Sequence, residues 1–351
     1  MSIRFDVTTM AVETPTRFAK LVSVVEDAGC DHLWVCDSSL HARDVFAYLG
    51  IVANSSERLL FGPNCNHPYT RHPAINYNAM ATLHEISGGR AKITVGAGDR
   101  PVMELGYRIA PVATVREMIS SMRALEKGDV ANFDGNTVTL KDTHLSVNLP
   151  SALPLYMAAS GPRMLRLAGE LWDGALFLCG THPACIQFAL EQIRAGAEIG
   201  GRTPADLDIG WTIYGSLRDD IDLAREECKS LAAWFPQTAR HYAELAGVPA
   251  DTIDAIRNTY TGGHFDAAAG AFKFVTDKMI DDFTIAGPAD VWIDRLREVA
   301  ALGVKRINIF LLRKEKLEMA EALSADVFPV LREALLSTAL INGVKISYEV
   351  N

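Results

Sequence analysis

Residues 154–180 read PLYMAASGPRMLRLAGELWDGALFLCG, and this stretch decides the fold class. Two short apolar runs, Leu153–Ala158 and Ala175–Cys179, flank the segment Pro162–Leu171, in which apolar residues recur at helical spacing. A strand, a helix and a second strand in this order form the unit from which parallel sheets are built. The stretch therefore predicts an α/β protein in which helices cover a buried parallel sheet.

The same unit recurs along the chain. Eight apolar runs occur, most of them followed by a helical pattern: Ile3–Val7, His32–Cys36, Leu59–Cys65, Ala91–Val95, Leu153–Ala158, Ala175–Cys179, Leu207–Tyr214 and Val304–Leu311. Eight such units predict a closed (β/α)8 barrel of the TIM type. A doubly wound open sheet is the alternative, but it usually carries Gly-x-Gly-x-x-Gly after its first strand, where this chain has Thr8, Thr9 and Met10.

Two insertions interrupt the alternation. Residues 128–150 predict a β-hairpin before strand five, with Asp134-Gly135 at its turn. Residues 235–287 form a long insertion between strands seven and eight, which contains the pair Gly262-Gly263. Insertions of this size in barrels usually build the mouth or a lid, although a packing or oligomer element is the alternative. We expect one domain over residues 1–351, with 235–287 as an inserted lid or substrate region.

The composition restricts the class of protein. Hydrophobic residues make up 49% and charged residues 22% of 351 residues, which is typical of a globular chain. The net charge of −9 excludes nucleic-acid binding through a basic surface, and no apolar run reaches the roughly 18 residues of a membrane span. No secretory signal is visible at the N-terminus, and the six cysteines contain no C-x-x-C. We therefore expect a cytoplasmic enzyme with reduced thiols and a small-molecule substrate.

Polar side chains follow several strands, where barrel enzymes place their active sites. Asp37 and Asp99 come directly after apolar runs, so each is either a functional group or a helix N-cap. His41 lies in the loop after strand two and His67 in the loop after strand three. Both histidines are candidate proton donors at this end of the barrel.

Two turns suit a ligand. The segment Ala159-Ser160-Gly161-Pro162-Arg163 joins strand five to a helix, and its small residues, early proline and backbone N–H groups favour an anion. Arg163 could add a contact to phosphate, while an ordinary turn is the alternative. The Gly96-Ala97-Gly98 turn would let backbone approach a flat ligand closely. The nine histidines show no metal-binding pattern and no G-x-S-x-G occurs, so we expect neither a metal site nor a serine hydrolase.

Several longer segments resemble one known superfamily. They are GPNCNHPYTRHPA (62–74), ATLHEISGGRAKITVGAGD (81–99), HLWVCD (32–37), PLYMAASGPRMLRLAGELWDGAL (154–176), GGHFDAAAGAF (262–272) and IAGPADVW (285–292). Together they resemble the bacterial-luciferase-like superfamily of flavin and deazaflavin oxidoreductases. The pattern is most similar to the methylenetetrahydromethanopterin reductases that depend on coenzyme F-420.

The resemblance implies a barrel with insertions and a cofactor, coenzyme F-420 or alternatively FMN, at the carboxyl ends of its strands. It implies that Asp37 contacts the cofactor ring, that Asn64-Cys65 is a non-prolyl cis peptide supporting the ring, and that Asp99 lies near the hydride-transfer centre. It also places the phosphate tail at residues 159–163. The implied cofactor-binding residues are Asp37, Ser38, Asn64, Cys65, Ala97, Asp99, Ala159, Ser160, Gly161, Pro162, Arg163, Cys179 and Gly180.

One departure leaves the reaction open. Many deazaflavin-dependent relatives read Asp-His where this chain reads Asp37-Ser38, so His41 takes the role of that histidine, or the chemistry needs no acid there, or the substrate differs. The leading hypothesis is hydride transfer between F-420 and an organic substrate with a C=N or C=C bond, with Asp99, Asp37 and His41 as catalytic residues. The alternatives are an FMN-dependent monooxygenase that uses O₂ and a cofactor-binding barrel without catalysis.

Two further expectations concern surfaces. Trp211 and Tyr214 on strand seven would shape the substrate pocket together with the insertion 235–287. Family precedent implies a homo-oligomer, either a dimer or a tetramer. The apolar helix Asn76–Leu83 is one candidate contact face, and packing of that helix against the barrel's own strands explains its composition equally well.

Overall fold

Eight parallel strands form a nearly closed barrel, which confirms the predicted fold class. The computed structural model describes residues 3–38, 40–127, 130–260 and 265–332, so Ser39 and the Gly262-Gly263 pair lie outside the described residues. The strands are β1 (Arg4–Met10), β2 (His32–Cys36), β3 (Leu60–Pro63), β4 (Ile93–Val95), β5 (Ala131–Asp134), β6 (Thr139–Thr143), β7 (Leu155–Ala159), β8 (Gly174–Leu178), β9 (Asp208–Leu217), β10 (Ile285–Gly287) and β11 (Arg306–Leu311).

The barrel strands follow one another in the order β3-β2-β1-β11-β9-β8-β7-β4, and all of these pairs are parallel. Parallel bridges between Phe61 and Ala91 and between Asn66 and Val95 join β3 to β4. These two bridges link the ends of the sheet, and the ring of eight strands thereby closes.

Helices cover the outside of the ring. They are α1 (Pro15–Asp27), α2 (Val45–Ser55), α3 (Pro73–Ile86), α4 (Arg100–Glu104), α5 (Val112–Glu126), α6 (Pro162–Leu171), α7 (Pro183–Ile199), α8 (Ile221–Thr238), α9 (Arg240–Leu245), α10 (Ala250–Thr259), α11 (Asp277–Phe283), α12 (Ala289–Ala301) and α13 (Lys316–Ala322). A 3-10 helix spans Phe265–Phe274, and a π-helical turn, Leu323–Val327, continues α13. None of the helices in the described ranges combines the length and apolar character needed to cross a membrane.

Strand residues alternate between the helix layer and the barrel interior, as the twofold repeat of a strand requires. In β1, the ring of Phe5 lies 4.7 Å from that of Phe328 in the C-terminal helical segment, while the carboxyl of Asp6 contacts residues of β2 across the interior. Trp34, Tyr156 and Leu176 form a separate apolar cluster, because they face one another inside the ring.

An ionic network, here called the basal cluster, fills the amino-terminal end of the barrel interior; its members are Asp6, His32, Trp34, Lys92, Tyr156, Asp208 and Arg306. Asp6 is completely buried and accepts hydrogen bonds from His32 Nδ1 at 3.0 Å and Trp34 Nε1 at 3.2 Å. Burial raises the pKa of Asp6, but His32, Arg306 and Trp34 outweigh it and hold that pKa below its usual value. Burial lowers the pKa of His32, so a neutral imidazole donates to the Asp6 carboxylate.

Arg306 joins the two carboxylates of the basal cluster. Its guanidinium lies 3.6 Å from Asp6 and also donates to Asp208. Tyr156 donates to Asp208 at 2.5 Å, and Lys92 Nζ donates to the Tyr156 hydroxyl at 3.0 Å. Buried charges in contact with opposite charges and hydrogen-bond partners avoid most of their desolvation penalty, and the network closes this end of the barrel.

The predicted hairpin is present as the antiparallel pair β5 and β6. Gly135 N–H donates to the Val138 carbonyl at 2.9 Å across its turn. The Glu117 carboxylate on α5 accepts the turn N–H groups of Asn136 at 3.0 Å and Thr137 at 2.7 Å. The hairpin therefore rests on the helix layer.

The insertion between the seventh and eighth barrel strands, which are β9 and β11, differs in detail from the sequence expectation. Helix α8 extends to Thr238, so the insertion begins within that helix, and it continues through α9, α10, the 3-10 helix and α11. It ends in β10, which pairs in parallel with Gly215–Leu217 of β9. A three-residue strand gives too short a pattern to be recognised in a sequence.

Helix α3 packs inward. Tyr77, Met80 and Leu83, the large apolar residues of the segment Asn76–Leu83, are buried in the chain's own core. Packing against the barrel therefore explains their apolar character, and the segment does not offer an apolar contact face for a second copy.

Candidate functional site

A cavity of about 810 Å³ opens at the carboxyl end of the barrel strands. A volume of this size is typical of sites that enclose one organic ligand. The sequence-predicted site residues that line it are Asp37, Ser38, His41, Asn64, Cys65, Ala97, Asp99, Ala159, Ser160, Gly161, Pro162 and Arg163. The structure thus brings together side chains from the ends of four strands, β2, β3, β4 and β7.

Asp37 is held in place by two donors on the loop after β3. The carboxylate is 7% exposed and accepts hydrogen bonds from Asn66 Nδ2 at 2.7 Å and Arg71 at 2.6 Å. Arg71 also donates to Asp44 at 3.0 Å, and its guanidinium stacks over the Phe46 ring at 4.8 Å. None of these contacts is a helix cap; they hold the Asp37 side chain in the cavity wall.

The loop after β3 approaches the turn after β4 closely. The Asn64–Cys65 peptide bond is cis, as the resemblance implies. A Cβ atom at Gly96 would lie 2.4 Å from Cys65 Sγ, so any larger residue at that position would have to displace the Cys65 side chain. Burial raises the pKa of the Cys65 thiol to about 12, and the thiol is therefore an uncharged part of the cavity lining.

Asp99 occupies the N-cap position of the short helix α4, but its side chain makes no capping hydrogen bond. Its backbone carbonyl accepts from the N–H groups of Val102 at 3.1 Å and Met103 at 3.3 Å. The side chain is exposed and lines the cavity. Helix capping by the side chain therefore does not account for this carboxyl group.

Two histidines lie near these carboxylates. His41 Nε2 contacts the Glu104 carboxylate at the rim of the cavity. His67 is 3% exposed; its Nε2 lies 3.2 Å from the Thr70 hydroxyl, while its buried Nδ1 has no hydrogen-bond partner. Burial lowers the pKa of His67, so this imidazole is neutral near pH 7.

The turn before α6, which follows β7 next to β4, also lines the cavity. Gly161 is the N-cap of α6 and has no side-chain cap, so the first N–H groups of this ten-residue helix face the turn without a capping side chain. The Tyr242 hydroxyl donates to the Ser160 carbonyl at 2.9 Å and fixes the turn. Arg163 is exposed and lines the cavity as well. This arrangement favours an anion.

The cavity floor is a chain of polar side chains inside the barrel. Asn64 donates to Thr8 at 3.2 Å, Thr8 donates to Asn308 at 2.8 Å, and Asn308 donates to Thr212 at 3.1 Å. Because the members partner one another across β1, β3, β9 and β11, the floor is rigid. Above it, the rings of Tyr214 and Phe310 stack at 4.0 Å and form an apolar surface in the cavity.

Two predicted cofactor-binding residues lie outside the cavity lining. Cys179 is completely buried, and a Cβ atom at Gly180 would lie 2.6 Å from the Asp282 carbonyl. The Gly180 carbonyl accepts from Trp211 Nε1 at 2.9 Å, so Trp211 supports this turn and does not shape the pocket as expected. The reason is that α11 of the insertion packs over the end of β8. Tyr214 does line the cavity.

Sequence reasoning expected part of one further wall, from the insertion 235–287, and missed the rest of it. Ile109–Val112, Leu231, Trp234, Thr238, Ala239 and His241 also line the cavity. They lie on the loop before α5 and at the junction of α8 and α9, far in sequence from the strand ends. Within the loop before α5, Pro111 was the only local sequence feature that could have pointed to this wall.

No three histidine, cysteine, aspartate or glutamate residues of the described ranges are grouped so that they could hold a metal ion.

Comparisons with known proteins agree with this geometry. The family model described as luciferase-like monooxygenase matches residues 1–306. A 5,10-methylenetetrahydromethanopterin reductase of Archaeoglobus fulgidus is 33% identical over 296 residues, which cover 82% of this chain and 86% of the relative. An F-420-dependent glucose-6-phosphate dehydrogenase of Beutenbergia cavernae is 32% identical over 329 residues, covering 88% and 91%.

A solved structure is also similar. The coenzyme F-420-dependent tetrahydromethanopterin reductase of Methanopyrus kandleri superposes with a TM-score of 0.81 at 27% identity, and the match covers 94% of this chain and all of that chain. The family model spans most of the chain, and the sequence relatives cover more than four fifths of it. The chain therefore belongs to the luciferase-like monooxygenase family and is an oxidoreductase.

Proposed function

We propose that this oxidoreductase binds coenzyme F-420 in the barrel cavity and transfers a hydride between it and an organic substrate with a C=N or C=C bond. One observation carries the proposal: a single cavity is lined both by an anion-favouring turn at residues 159–163 and by the carboxylates Asp37 and Asp99. A ligand with a phosphate tail and a redox ring matches that lining. The F-420-dependent relatives support the choice of cofactor.

The described residues fit such a cofactor. The uncapped N-terminus of α6 and Arg163 suit a phosphate, and the Gly96-Ala97-Gly98 turn that lines the cavity suits a flat ring. Asp37, which Asn66 and Arg71 fix in place, suits a hydrogen bond to the ring edge. The cavity volume suits one such ligand.

A bound deazaflavin supplies the hydride, and the protein binds, orients and excludes water. Asp37 would orient the ring from its fixed position. Asp99, which no capping role occupies, would polarise the reacting group or hold the proton that the substrate gains. Ser38 has no acidic proton near neutral pH, so His41, which lines the cavity beside Glu104, would supply that function in place of the family histidine.

The second candidate is an FMN-dependent monooxygenase that uses O₂, which the description of the matching family model favours. FMN shares the phosphate tail, so the anion-favouring turn suits both cofactors. The relatives with greater sequence identity depend on F-420, and we therefore rank F-420 first. A barrel that binds cofactor without catalysis is the third hypothesis, because Ser38 stands where many deazaflavin-dependent relatives have a histidine.

An assay with reduced cofactors tests the proposal. We expect reduced F-420 to be oxidised when 5,10-methylenetetrahydromethanopterin is added, at the same rate under argon and in air. Consumption of reduced FMN that requires both substrate and O₂ would support the monooxygenase instead. Binding of F-420 without turnover across a panel of C=N and C=C substrates would support the non-catalytic barrel.

We further propose the larger organisation that the sequence suggests. Residues 1–351 would form one domain, in which the insertion 235–287 supplies one cavity wall through Thr238, Ala239 and His241. A homo-oligomer follows family precedent, and light scattering of the purified protein tests it. The six cysteines are unpaired, which is consistent with a cytoplasmic, reducing compartment.

A further inference from the structure

Five large apolar side chains are exposed around the mouth of the cavity: Leu40, Met103, Leu105, Tyr107 and Ile109. We call them the mouth patch. They are between 45% and 78% exposed. Four of them fall within the seven residues 103–109, between Asp99 and the cavity-lining stretch Ile109–Val112. Single exposed apolar residues are ordinary on a protein surface, but a cluster at a cavity mouth is informative.

The fold does not require these side chains to be apolar. The loop that carries four of them is anchored by other residues, Val102 and Ala110, which are 0% and 2% exposed. Ala110 N–H donates to the Ala97 carbonyl at 2.8 Å, and Tyr107 N–H donates to the Val102 carbonyl at 2.9 Å. Polar residues at the exposed positions would leave these anchors intact.

The two loops of the mouth patch are also fixed relative to each other. His41, next to Leu40, contacts Glu104 between Met103 and Leu105. The ring of Tyr107 stacks on that of Tyr69 at 5.2 Å with an interplanar angle of 4°. The patch is therefore a preformed surface with a flat aromatic element.

Leu40 adds an independent observation. Its φ is +73°, in the left-handed region that a leucine rarely adopts, and its side chain is 78% exposed. This backbone conformation is unfavourable for a non-glycine residue, and such residues are concentrated at functional sites. No burial offsets this cost in the described structure.

The geometry of the cavity indicates what covers the patch. A volume of about 810 Å³ encloses one ligand of cofactor size, so a second reactant must approach from the mouth. Ile109 belongs both to the cavity lining and to the mouth patch, so the two surfaces are continuous. A substrate too large for the cavity can therefore extend from Ile109 onto the rest of the mouth patch.

We propose that the mouth patch binds the flat or extended apolar body of the organic substrate, while its reacting carbon enters the cavity. This inference rests on the proposed function and specifies its substrate class: a molecule whose C=N or C=C bond is attached to an aromatic or aliphatic ring system. A small hydrophilic molecule such as a sugar phosphate leaves the patch exposed to water and is disfavoured.

Binding to the protein saturated with oxidised F-420 tests this inference, because oxidised cofactor cannot reduce an added methylene-pterin. The probes are 5,10-methylenetetrahydromethanopterin and, as the hydrophilic comparison, glucose 6-phosphate. The double variant Tyr107→Ser with Leu105→Ser should weaken pterin binding about tenfold or more, without altering the Kd of F-420. The matched control is Ile199→Ser, because Ile199 is 68% exposed at the end of α7; it should change neither Kd.

The outcomes separate the two proposals. Wild-type protein that fails to bind F-420 would overturn the proposed function and this inference with it. Normal F-420 binding with unchanged pterin affinity in the double variant would overturn the inference alone. Tighter binding of glucose 6-phosphate than of the pterin would do the same, as would a change in oligomeric state of the double variant without loss of pterin affinity.

Discussion

The two ends of the barrel contain the same kinds of side chain and use them differently. The basal cluster at the amino-terminal end combines Asp6, His32 and Arg306, which are all buried, and both His32 and Arg306 contact Asp6. The carboxyl end combines Asp37 and Arg71 with further polar groups around a cavity of about 810 Å³. Because the residue types are the same at both ends, what distinguishes the ligand site from the structural network is the cavity beside its polar side chains.

Unpartnered nitrogen atoms do not make this distinction by themselves. His67 Nδ1 is buried without a hydrogen-bond partner at the carboxyl end, but so is His32 Nε2 in the basal cluster. What separates the two histidines is that His67 lines the cavity, whereas aromatic rings enclose His32, which stacks on Trp34 at 5.0 Å. A buried polar group indicates function only where a ligand can come near it.

Removal of the basal guanidinium should have the largest effect on stability. In Arg306→Met, Asp6 and Asp208 lose their shared buried cation, and we expect the free energy of unfolding to fall by about 3–5 kcal/mol. Urea denaturation at pH 7 measures the change. Arg4→Ala is the control, because Arg4 contacts the same Asp208 at 2.9 Å from a half-exposed position and should cost less than about 1 kcal/mol. Equal losses in both variants would contradict a buried network.

Asp99→Asn should have the largest effect on activity. The variant keeps the side-chain shape but cannot exchange a proton, and we expect kcat to fall by about 10²–10⁴-fold. Unfolding should change by less than about 0.5 kcal/mol, because the Asp99 side chain caps no helix. Asp134→Asn in the hairpin is a matched exposed control that should leave kcat unchanged. Full turnover with an unchanged pH profile in Asp99→Asn would refute the acid–base role.

His32→Gln should alter the pH dependence of stability. The pKa of His32 is lowered in the folded protein, so below its ordinary value of about 6.5 the unfolded chain binds the proton first. The stabilisation is complete above that value and is lost as the pH falls through it. Between pH 7 and 5, His32→Gln should reduce the slope of the unfolding free energy by up to about 1.4 kcal/mol per pH unit. His144→Gln, at an exposed position, should leave the slope as it is.

Cys179→Ala should have the smallest effect, and it tests where the cavity ends. Cys179 lies beneath α11 and outside the lining, so we expect an unfolding cost of about 1 kcal/mol and an unchanged Kd for F-420. Arg163→Ala, at the anion-favouring turn, should weaken F-420 binding about three- to tenfold. A greater loss of affinity in Cys179→Ala than in Arg163→Ala would show that the cofactor extends past β8.

Strand order and the carboxyl-end residues were accessible from the sequence, because both follow from short local patterns. Apolar runs such as His32–Cys36 mark buried strands, and the polar residue after each run, Asp37 for example, must lie at the common end of a parallel barrel. The cis bond at Asn64–Cys65 could be expected only from the family resemblance.

The insertion 235–287 was expected at the pocket, but which of its residues line the cavity depends on tertiary packing. His241 and Thr238 reach the cavity because α8 and α9 meet at an irregular junction, which no local pattern specifies. Cys179 and Gly180 do not line the cavity because α11, a helix about 100 residues later in the chain, packs over them. The Asp282 carbonyl of α11 accepts the N–H of Thr181 at 2.7 Å. Contacts over such separations are set by the whole fold and not by the motif.

Titration of the wild-type protein with oxidised coenzyme F-420 and, separately, with FMN tests the central claim most directly. The cavity at the carboxyl end, with its fixed carboxylate and its anion-favouring turn, predicts binding of F-420 in the micromolar range or tighter, and binding of FMN that is at least about tenfold weaker. Tighter binding of FMN, or binding of neither compound, would contradict the assignment of this end of the barrel to a deazaflavin.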